Sequence, residues 1–239
     1  KSGEYGWLGV EVFFVISGFV IPYALHSSKY NLQDFFRFLG KRALRLDPPY
    51  LVTILIILIL NYLSALTPGY RGEPFHISAV QLLLHLGYLN VFFNYAWLNP
   101  VFWTLAIEFQ YYLLIGLVFP LITADKTKTQ CVLYGLSSIL PFLLPSKDFI
   151  PHYIFLFAFG ISAFQFKIRL LKWNSFCGLL AWNTIGAWLT LGWPSAFVGL
   201  FSVLVIAFVS LDNFALNFLG DLSYSLYLLH VPIGGRIIN

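Results

Sequence analysis

The sequence predicts an all-α fold, a polytopic transmembrane helical bundle with about 8–9 spans. Of its 239 residues, 59% are hydrophobic and only 10% are charged, whereas soluble domains carry roughly 25% charged residues. The mean hydropathy is +0.79. The apolar runs are continuous and do not alternate with polar residues as β-barrel strands do. These observations exclude a soluble globule, and we treat residues 1–239 as a single membrane domain.

Crossing the hydrocarbon core takes about 20 helical residues. The predicted spans are 8–25, 48–66, 102–122, 131–145, 152–166, 176–192, 196–211 and 218–234. Residues 80–95 are apolar but short, and they either span or re-enter the membrane. Their polar residues His85, Asn90 and Asn94 count against a span.

Basic residues indicate which loops face the cytoplasm. Three loops hold ten of the fourteen, namely Lys29, Arg37, Lys41, Arg42 and Arg45 in 26–47, Lys126 and Lys128 in 123–130, and Lys167, Arg169 and Lys172 in 167–175. If all three loops face the cytoplasm, the charge distribution favours a further crossing by 80–95. We keep both alternatives for that segment.

Several functional classes have no support in the sequence. The chain carries a net charge of +4 but no basic run long enough to indicate nucleic-acid binding. Cys131 and Cys177 show neither metal-binding nor redox spacing, so we expect no metal site and no disulfide. The motifs of zinc proteases, dinucleotide-binding folds and serine hydrolases do not occur.

Two carboxylates, Glu11 and Glu108, lie inside apolar stretches. A charge at membrane depth costs at least ~2.5–3.5 kcal/mol, so each is a candidate functional residue. The alternative is that each lies near a helix end and reaches the headgroups. Thr104 precedes Glu108 by four residues, and Tyr111 and Tyr112 follow it by three and four, so these side chains share a helix face.

The stretch 34–50 predicts a surface helix that leads into a span, with Pro48 and Pro49 at a break or a helix start. Arg37, Lys41 and Arg45 share one face at a spacing of four residues. One interpretation is a topology anchor that binds lipid phosphates. The other is a cytoplasmic clamp for the phosphates of a nucleotide-like donor.

A third constellation lies at 220–232, where Ser223, Tyr227 and His230 fall on one helix face. A membrane histidine beside a proline can relay protons or hold a substrate. Alternatively, His230 is a satisfied interface histidine without a role in catalysis. His26, His76, His85 and His152 are assigned no role.

Four segments resemble, in order, the motifs of one family. GVEVFFVISGFVI at 9–21 is similar to GVDxFFVLSGFLI, with Glu11 in place of the commoner Asp. KRALRLDPPY at 41–50 is similar to RRxxRxxPxY, FWTLAIEFQYYL at 102–113 to WSLxxExxFYL, and LGDLSYSLYLLHVP at 219–232 to LGxxSYxxYLxHxP. The chain therefore resembles the acyltransferase 3 family of integral membrane acyltransferases.

The resemblance implies an enzyme that moves an acyl group, usually acetyl from acetyl-coenzyme A, to a sugar hydroxyl of a surface or exported glycan. It implies no bound cofactor, since acyl-coenzyme A is the donor substrate, and it implies residence in a bacterial cytoplasmic membrane. Lys41, Arg42 and Arg45 are expected to bind the donor. Glu11, Glu108 and His230 are the expected catalytic residues, and Ser17, Trp103, Tyr112, Ser223, Tyr224 and Tyr227 the expected substrate-binding residues.

The sequence departs from the family pattern at its two ends. Family members carry an Arg and a His on a span before the Glu11 motif, where this sequence has only Lys1–Trp7. A last span after the motif at 219–232 is also missing, and no methionine occurs. We therefore expect a fragment that is itself inactive.

Two other functions remain open. A proton-coupled carrier of glycans or small molecules would also use intramembrane carboxylates, and it would need no coenzyme A. A non-catalytic membrane partner in glycan assembly is the third candidate. The acceptor glycan, the acyl group and the oligomeric state do not follow from the sequence.

Overall fold

The computed structural model of the protein describes residues 7–66, 77–124, 127–209 and 214–238, and for 127, 214–217, 219, 221 and 235–238 it describes the backbone alone. Within these ranges the chain forms α-helices and three short 3₁₀ helices, and no strand. The helices are α1 (Leu8–Ser27), α2 (Phe35–Leu66), α3 (Ala79–Leu86), α4 (Phe102–Ile122), α5 (Thr127–Leu143), α6 (Ile154–Lys167), α7 (Trp173–Leu191), α8 (Trp193–Phe208) and α9 (Phe214–Ile238). The predicted all-α fold is confirmed.

Every predicted span coincides with a helix to within a few residues at either end, except that α2 begins earlier. Among the described residues, three stretches have the length and hydropathy to cross a membrane, namely Leu8–Ser27, Leu32–Leu66 and Phe102–Ile122. Trp193–Phe208 is apolar but shorter. The chain is therefore an integral membrane protein. Lys126, one of the predicted cytoplasmic residues, lies outside the described part.

The basic stretch and the span after it form one continuous helix, α2, with Pro48 and Pro49 in its interior. The predicted break is therefore wrong. Each proline lacks an N–H, so the carbonyls of Leu44 and Arg45 lose their helical partners. Both of these residues are exposed, and the helix nevertheless continues through the two prolines.

Residues 80–95 do not form a spanning helix. Helix α3 has 8 residues, and a turn and the 3₁₀ helix Asn90–Phe93 follow it. Eight residues rise only about 12 Å, well short of the roughly 30 Å hydrocarbon core. Of the two alternatives kept for this segment, the one in which it spans the membrane is therefore wrong. Its charge argument also fails, because two crossings, by α2 and α4, already return the chain to its starting side.

The described chain divides into two compact units. The first unit consists of Lys1–Leu39 and Gln110–Ser210, and the second of Gly40–Phe109 and Leu211–Asn239. In the first unit α6 is buried along almost its whole length, as expected for a helix that is apolar on all sides. Helices α1, α7 and α8 pack around it.

Two glycines permit a close contact between the backbones of α1 and α6 in the first unit. A Cβ at Gly18 of α1 would collide with the carbonyl oxygen of Phe157, and one at Gly160 of α6 would collide with that of Val15. Small residues let membrane helices approach until their backbones touch. The pair therefore fixes where α1 crosses α6.

The second unit is held by aromatic contacts and by hydrogen bonds to backbone carbonyls. Tyr50 of α2 is buried, and its ring lies 4.5 Å from that of Phe102 and 5.0 Å from that of Tyr88. The Asn99 amide donates to the carbonyl of Leu228 at 2.9 Å. These contacts join α2, the start of α4 and α9.

Gly18→Ala and Gly160→Ala are each expected to lower the free energy of unfolding by about 1–3 kcal/mol, because overpacking costs that much and the neighbours here are backbone atoms. Thermal unfolding of the detergent-solubilised protein measures the effect. Gly135→Ala and Gly178→Ala are the controls, since a Cβ at either meets open space. Equal unfolding temperatures for Gly18→Ala and Gly135→Ala would contradict the close crossing.

Candidate functional site

Glu11 is buried in the first unit, with 5% of its surface exposed. The Ser195 hydroxyl, in the first turn of α8, donates to its Oε1 at 2.7 Å and lies farther, 3.3 Å, from the carbonyl of Leu191. Glu11 Oε2 is also buried and accepts no hydrogen bond from the described residues. The carboxylate therefore faces the interior of the unit, and the headgroup alternative does not describe it.

Two of the expected substrate-binding residues also lie in the first unit. Ser17 of α1 is 4% exposed and Tyr112 of α4 is 2% exposed. The Tyr112 ring meets the Phe38 ring edge-on at 6.2 Å. Tyr111 stacks on Phe157 at 4.2 Å, so it is a packing residue of this unit.

Glu108 is buried in the second unit, with 4% of its surface exposed. One turn earlier on α4, the Thr104 hydroxyl lies 2.9 Å from the Tyr227 hydroxyl of α9. The Glu108 charge lies close enough to act on the hydroxyls of both Tyr224 and Tyr227. The structure thus brings together Glu108 with two tyrosines that the sequence placed in a separate motif.

The predicted face of α9 is only partly buried. Tyr227 is half-buried, whereas Ser223 and His230 are exposed, and the Ser223 hydroxyl donates to the carbonyl of Gly220 at 2.7 Å. His230 Nδ1 lies 2.6 Å from the carbonyl of Tyr227. Because a carbonyl can only accept, Nδ1 carries the proton, and Nε2 of the neutral ring has a free lone pair.

Of the predicted donor-binding residues, Arg45 has a charge that reaches this cluster. Lys41 and Arg45 are exposed on α2, and Arg42 is half-buried. Tyr224 donates its hydroxyl to the carbonyl of Leu46 at 2.9 Å, and the Arg45 charge acts on the same hydroxyl. Tyr224 therefore lies within electrostatic reach of both Arg45 and Glu108. Trp103 is half-buried at the start of α4.

His85 was assigned no role, yet it is fully buried in the second unit. Its Nε2 accepts the backbone N–H of Leu98 at 3.2 Å, and its Nδ1 lies 2.7 Å from the carbonyl of Gln81. The ring is thus the neutral Nδ1–H tautomer. Asn90 Nδ2 lies 2.9 Å from Nδ1, and since both atoms are donors in this tautomer the contact is not a hydrogen bond. The only signal in the sequence was polar residues in a short apolar segment.

Tyr88 and Asp47 form a second contact that sequence reasoning missed. The Tyr88 hydroxyl donates to Asp47 Oδ1 at 2.9 Å, and its ring stacks on Phe109 at 5.3 Å. Tyr88 has φ +56°, in the left-handed region that non-glycine residues rarely adopt. Strain of this kind persists where surrounding contacts over-determine the conformation, as they do here.

The chemistry that the second unit offers is proton transfer and hydrogen bonding to hydroxyl groups. A buried carboxylate, three hydroxyls and an exposed imidazole lone pair can bind or deprotonate an alcohol. In the described part of the chain, no group of three or more His, Cys, Asp or Glu side chains is placed to hold a metal ion. Cys131 and Cys177 are both exposed free thiols.

Apolar helices with buried carboxylates and hydroxyls between them define an integral membrane protein that holds polar side chains in its interior. Comparison with known families is more specific. The sequence model of the acyltransferase domain family matches residues 6–235, so the chain belongs to the acyltransferase 3 family. The predicted family is confirmed.

Individual relatives are more distant. The chain is 36% identical over 120 residues to O-acetyltransferase OatA of Staphylococcus aureus (strain NCTC 8325 / PS 47), a match that covers 47% of this chain and 20% of the relative. It is 28% identical over 154 residues to an uncharacterized protein of Haemophilus influenzae, covering 59% of this chain and 60% of that protein. The chain thus spans only about a fifth of the length of OatA. No solved structure matches significantly.

Ser195→Ala is expected to lower the free energy of unfolding by about 1–3 kcal/mol, because Glu11 then loses its buried donor. A double-mutant cycle with Glu11→Gln isolates the pair, and we expect a coupling energy of roughly 0.5–3 kcal/mol. Ser202→Ala is the control, since Ser202 is buried in the same helix. Additive effects of Ser195→Ala and Glu11→Gln would contradict the contact.

Burial lowers the pKa of His85 below its ordinary value of 6.5, and the hydrogen bond to Gln81 only partly opposes this shift. As pH falls below 6.5 the unfolded chain binds the proton first, so the stability that neutral His85 contributes is present above that pH and lost below it. The difference in unfolding temperature between the parent and His85→Gln should therefore shrink as pH falls from about 7 to about 5. A constant difference would contradict the assignment.

Proposed function

We propose that the protein is a membrane O-acyltransferase that moves an acyl group, most simply acetyl, from acyl-coenzyme A to a sugar hydroxyl. The acceptor is a surface or exported glycan, and the location is a bacterial cytoplasmic membrane. Membership of the acyltransferase 3 family supports this proposal, as does the relative named as an O-acetyltransferase.

The observation that carries the proposal is the arrangement in the second unit. Exposed Lys41 and Arg45 lie on the same helix as Leu46, whose carbonyl bonds Tyr224, and Tyr224 lies within reach of the Glu108 charge. Arginine and lysine suit the phosphates of coenzyme A, and a buried carboxylate suits an alcohol. A donor site and an acceptor site would therefore lie within one compact unit.

The reaction is an attack of a sugar hydroxyl on the thioester carbonyl carbon. The hydroxyl passes its proton to a base, either the Glu108 carboxylate or His230 Nε2, as its oxygen forms the new ester bond. The carbon–sulfur bond then breaks and the coenzyme A thiolate leaves, taking up a proton. Thr104 and Tyr227 can orient the hydroxyl. Trp103 precedes Thr104 on α4 and Ser223 lies one turn before Tyr227 on α9, and we assign both substrate contacts by resemblance.

The first unit holds a buried carboxylate of its own. Glu11, bonded to Ser195, and the buried Ser17 lie on α1, which the family motif at 9–21 occupies. We assign Glu11 a catalytic role and Ser17 and Tyr112 substrate contacts by resemblance to the family. Lys41, Arg42 and Arg45 bind the donor on the same grounds.

Transfer of radiolabelled acetyl from acetyl-coenzyme A to glycan, in membranes carrying the full-length protein to which this chain belongs, tests the proposal. Glu108→Gln is expected to reduce transfer by about 10²–10⁴-fold, the usual loss for a general base. Arg42→Gln and Arg45→Gln are expected to raise the KM for acetyl-coenzyme A while they change kcat little, since they remove binding to non-reacting phosphates.

Lys128→Gln is the control, because Lys128 is exposed on α5 and belongs to none of the four motifs. It should leave the KM unchanged. No transfer by the well-expressed full-length protein across several glycans would exclude the enzyme. Glycan uptake that needs no coenzyme A would then indicate a carrier, and the absence of both activities a non-catalytic partner.

A further inference from the structure

A cavity of about 880 Å³ opens in the first unit between α5, the end of α6 and the start of α7. Gln130, Tyr134, Gln165, Lys172, Ser175 and Trp182 are among its lining residues. Its volume falls within the roughly 300–1,000 Å³ of ligand pockets. None of the residues assigned to acyl transfer lines it. We call it the α5–α7 cavity.

Two apolar grooves meet this cavity on opposite faces of α5. One groove follows Leu133, Ser137 and Leu140, and it shares Gln130, Tyr134 and Gln165 with the cavity. The other, of about 470 Å³, follows Gly135, Ser138 and Phe142, and it shares Gly135 and Trp182 with the cavity. A forked volume of this kind has one polar end and two apolar arms.

The polar end lies beside the two basic loops. Lys172 lines the cavity as the residue before α7, and Ser175 follows in the first turn. The Tyr134 hydroxyl donates to Gln165 Oε1 at 2.9 Å, and Gln165 donates to Gln130 at 2.8 Å, so the cavity wall is polar and ordered. The positive-inside rule predicts that these basic loops face the cytoplasm, which would place the polar end at the cytoplasmic surface and the grooves toward the membrane interior.

We propose that this cavity binds an anionic diacyl phospholipid of the cytoplasmic leaflet. Its phosphate lies near Lys172, and its two acyl chains run along opposite faces of α5. Charge complementarity favours an anionic headgroup, and the fork on either side of one helix favours two chains. A soluble phosphate compound would use neither groove, and a partner helix would fill only one of them. The proposal does not depend on the acyltransferase reaction.

Native mass spectrometry of the detergent-purified protein tests the site with dioleoyl phosphatidylglycerol and dioleoyl phosphatidylcholine. We expect one retained phosphatidylglycerol, preferred about fivefold, which is the contribution of a single lysine near an anionic headgroup. Lys172→Gln should abolish the preference. Lys167→Gln should keep it, since Lys167 is exposed at the end of α6 but does not line the cavity.

Variants with larger side chains in the cavity distinguish lipid binding at this site from nonspecific lipid adhesion. Gly178 and Gly135 line it, and a Cβ at either meets open space, so Gly178→Leu and Gly135→Leu should fold and lower the binding of both lipids about tenfold. Ala181→Leu, exposed on α7 away from the cavity, should bind normally. Equal binding of the two lipids by the parent, or equal binding by Gly178→Leu and Ala181→Leu, would overturn the proposal.

The two free thiols provide an internal reporter. Cys131 lines the cavity, whereas Cys177 is also exposed but does not line it. Phosphatidylglycerol should slow maleimide labelling of Cys131 and leave the labelling rate of Cys177 unchanged. The same change at both cysteines, or at neither, would overturn the site.

Discussion

A polar group inside a bilayer finds no water, so its hydrogen-bonding partner must come from the protein. This constraint shapes both units. In the first, Ser195 bonds the Glu11 carboxylate, and Gln165 bonds the carbonyl of Ile122 at 2.8 Å. In the second, Tyr224 bonds the carbonyl of Leu46. Each of these bonds joins residues far apart in sequence, so the bonds specify which helices are neighbours. Apolar packing holds the neighbouring helices together.

The same constraint explains why buried charged side chains occur at only a few positions in the described part of the chain. Burying a carboxylate is costly, and a protein keeps it only where surrounding hydroxyls and charges make it useful. Glu108 has two tyrosine hydroxyls within reach of its charge, and Arg45 acts on one of them. Tyr224 therefore lies within electrostatic reach of both the exposed Arg45 and the buried Glu108.

The sequence predicted what depends on local composition. Apolar runs located the helices, and the rarity of charge singled out Glu11 and Glu108 before any contact was known. It failed where the outcome depends on distant contacts. His85 is buried by residues as far along the chain as Leu98, and α2 continues through Pro48 and Pro49, where the local sequence predicted a break or a helix start. The donor, the acceptor and the site roles stay predictions.

The contact of Gly18 with Gly160 also sets a limit on insertions and deletions. Glu11 lies seven residues before Gly18 on the same helix, and each helical residue turns the chain by about 100°. One residue added or lost between them would swing the carboxylate away from Ser195, since the glycine crossing cannot slide without a backbone collision. The spacing between these two positions is therefore as strictly constrained as the residues themselves.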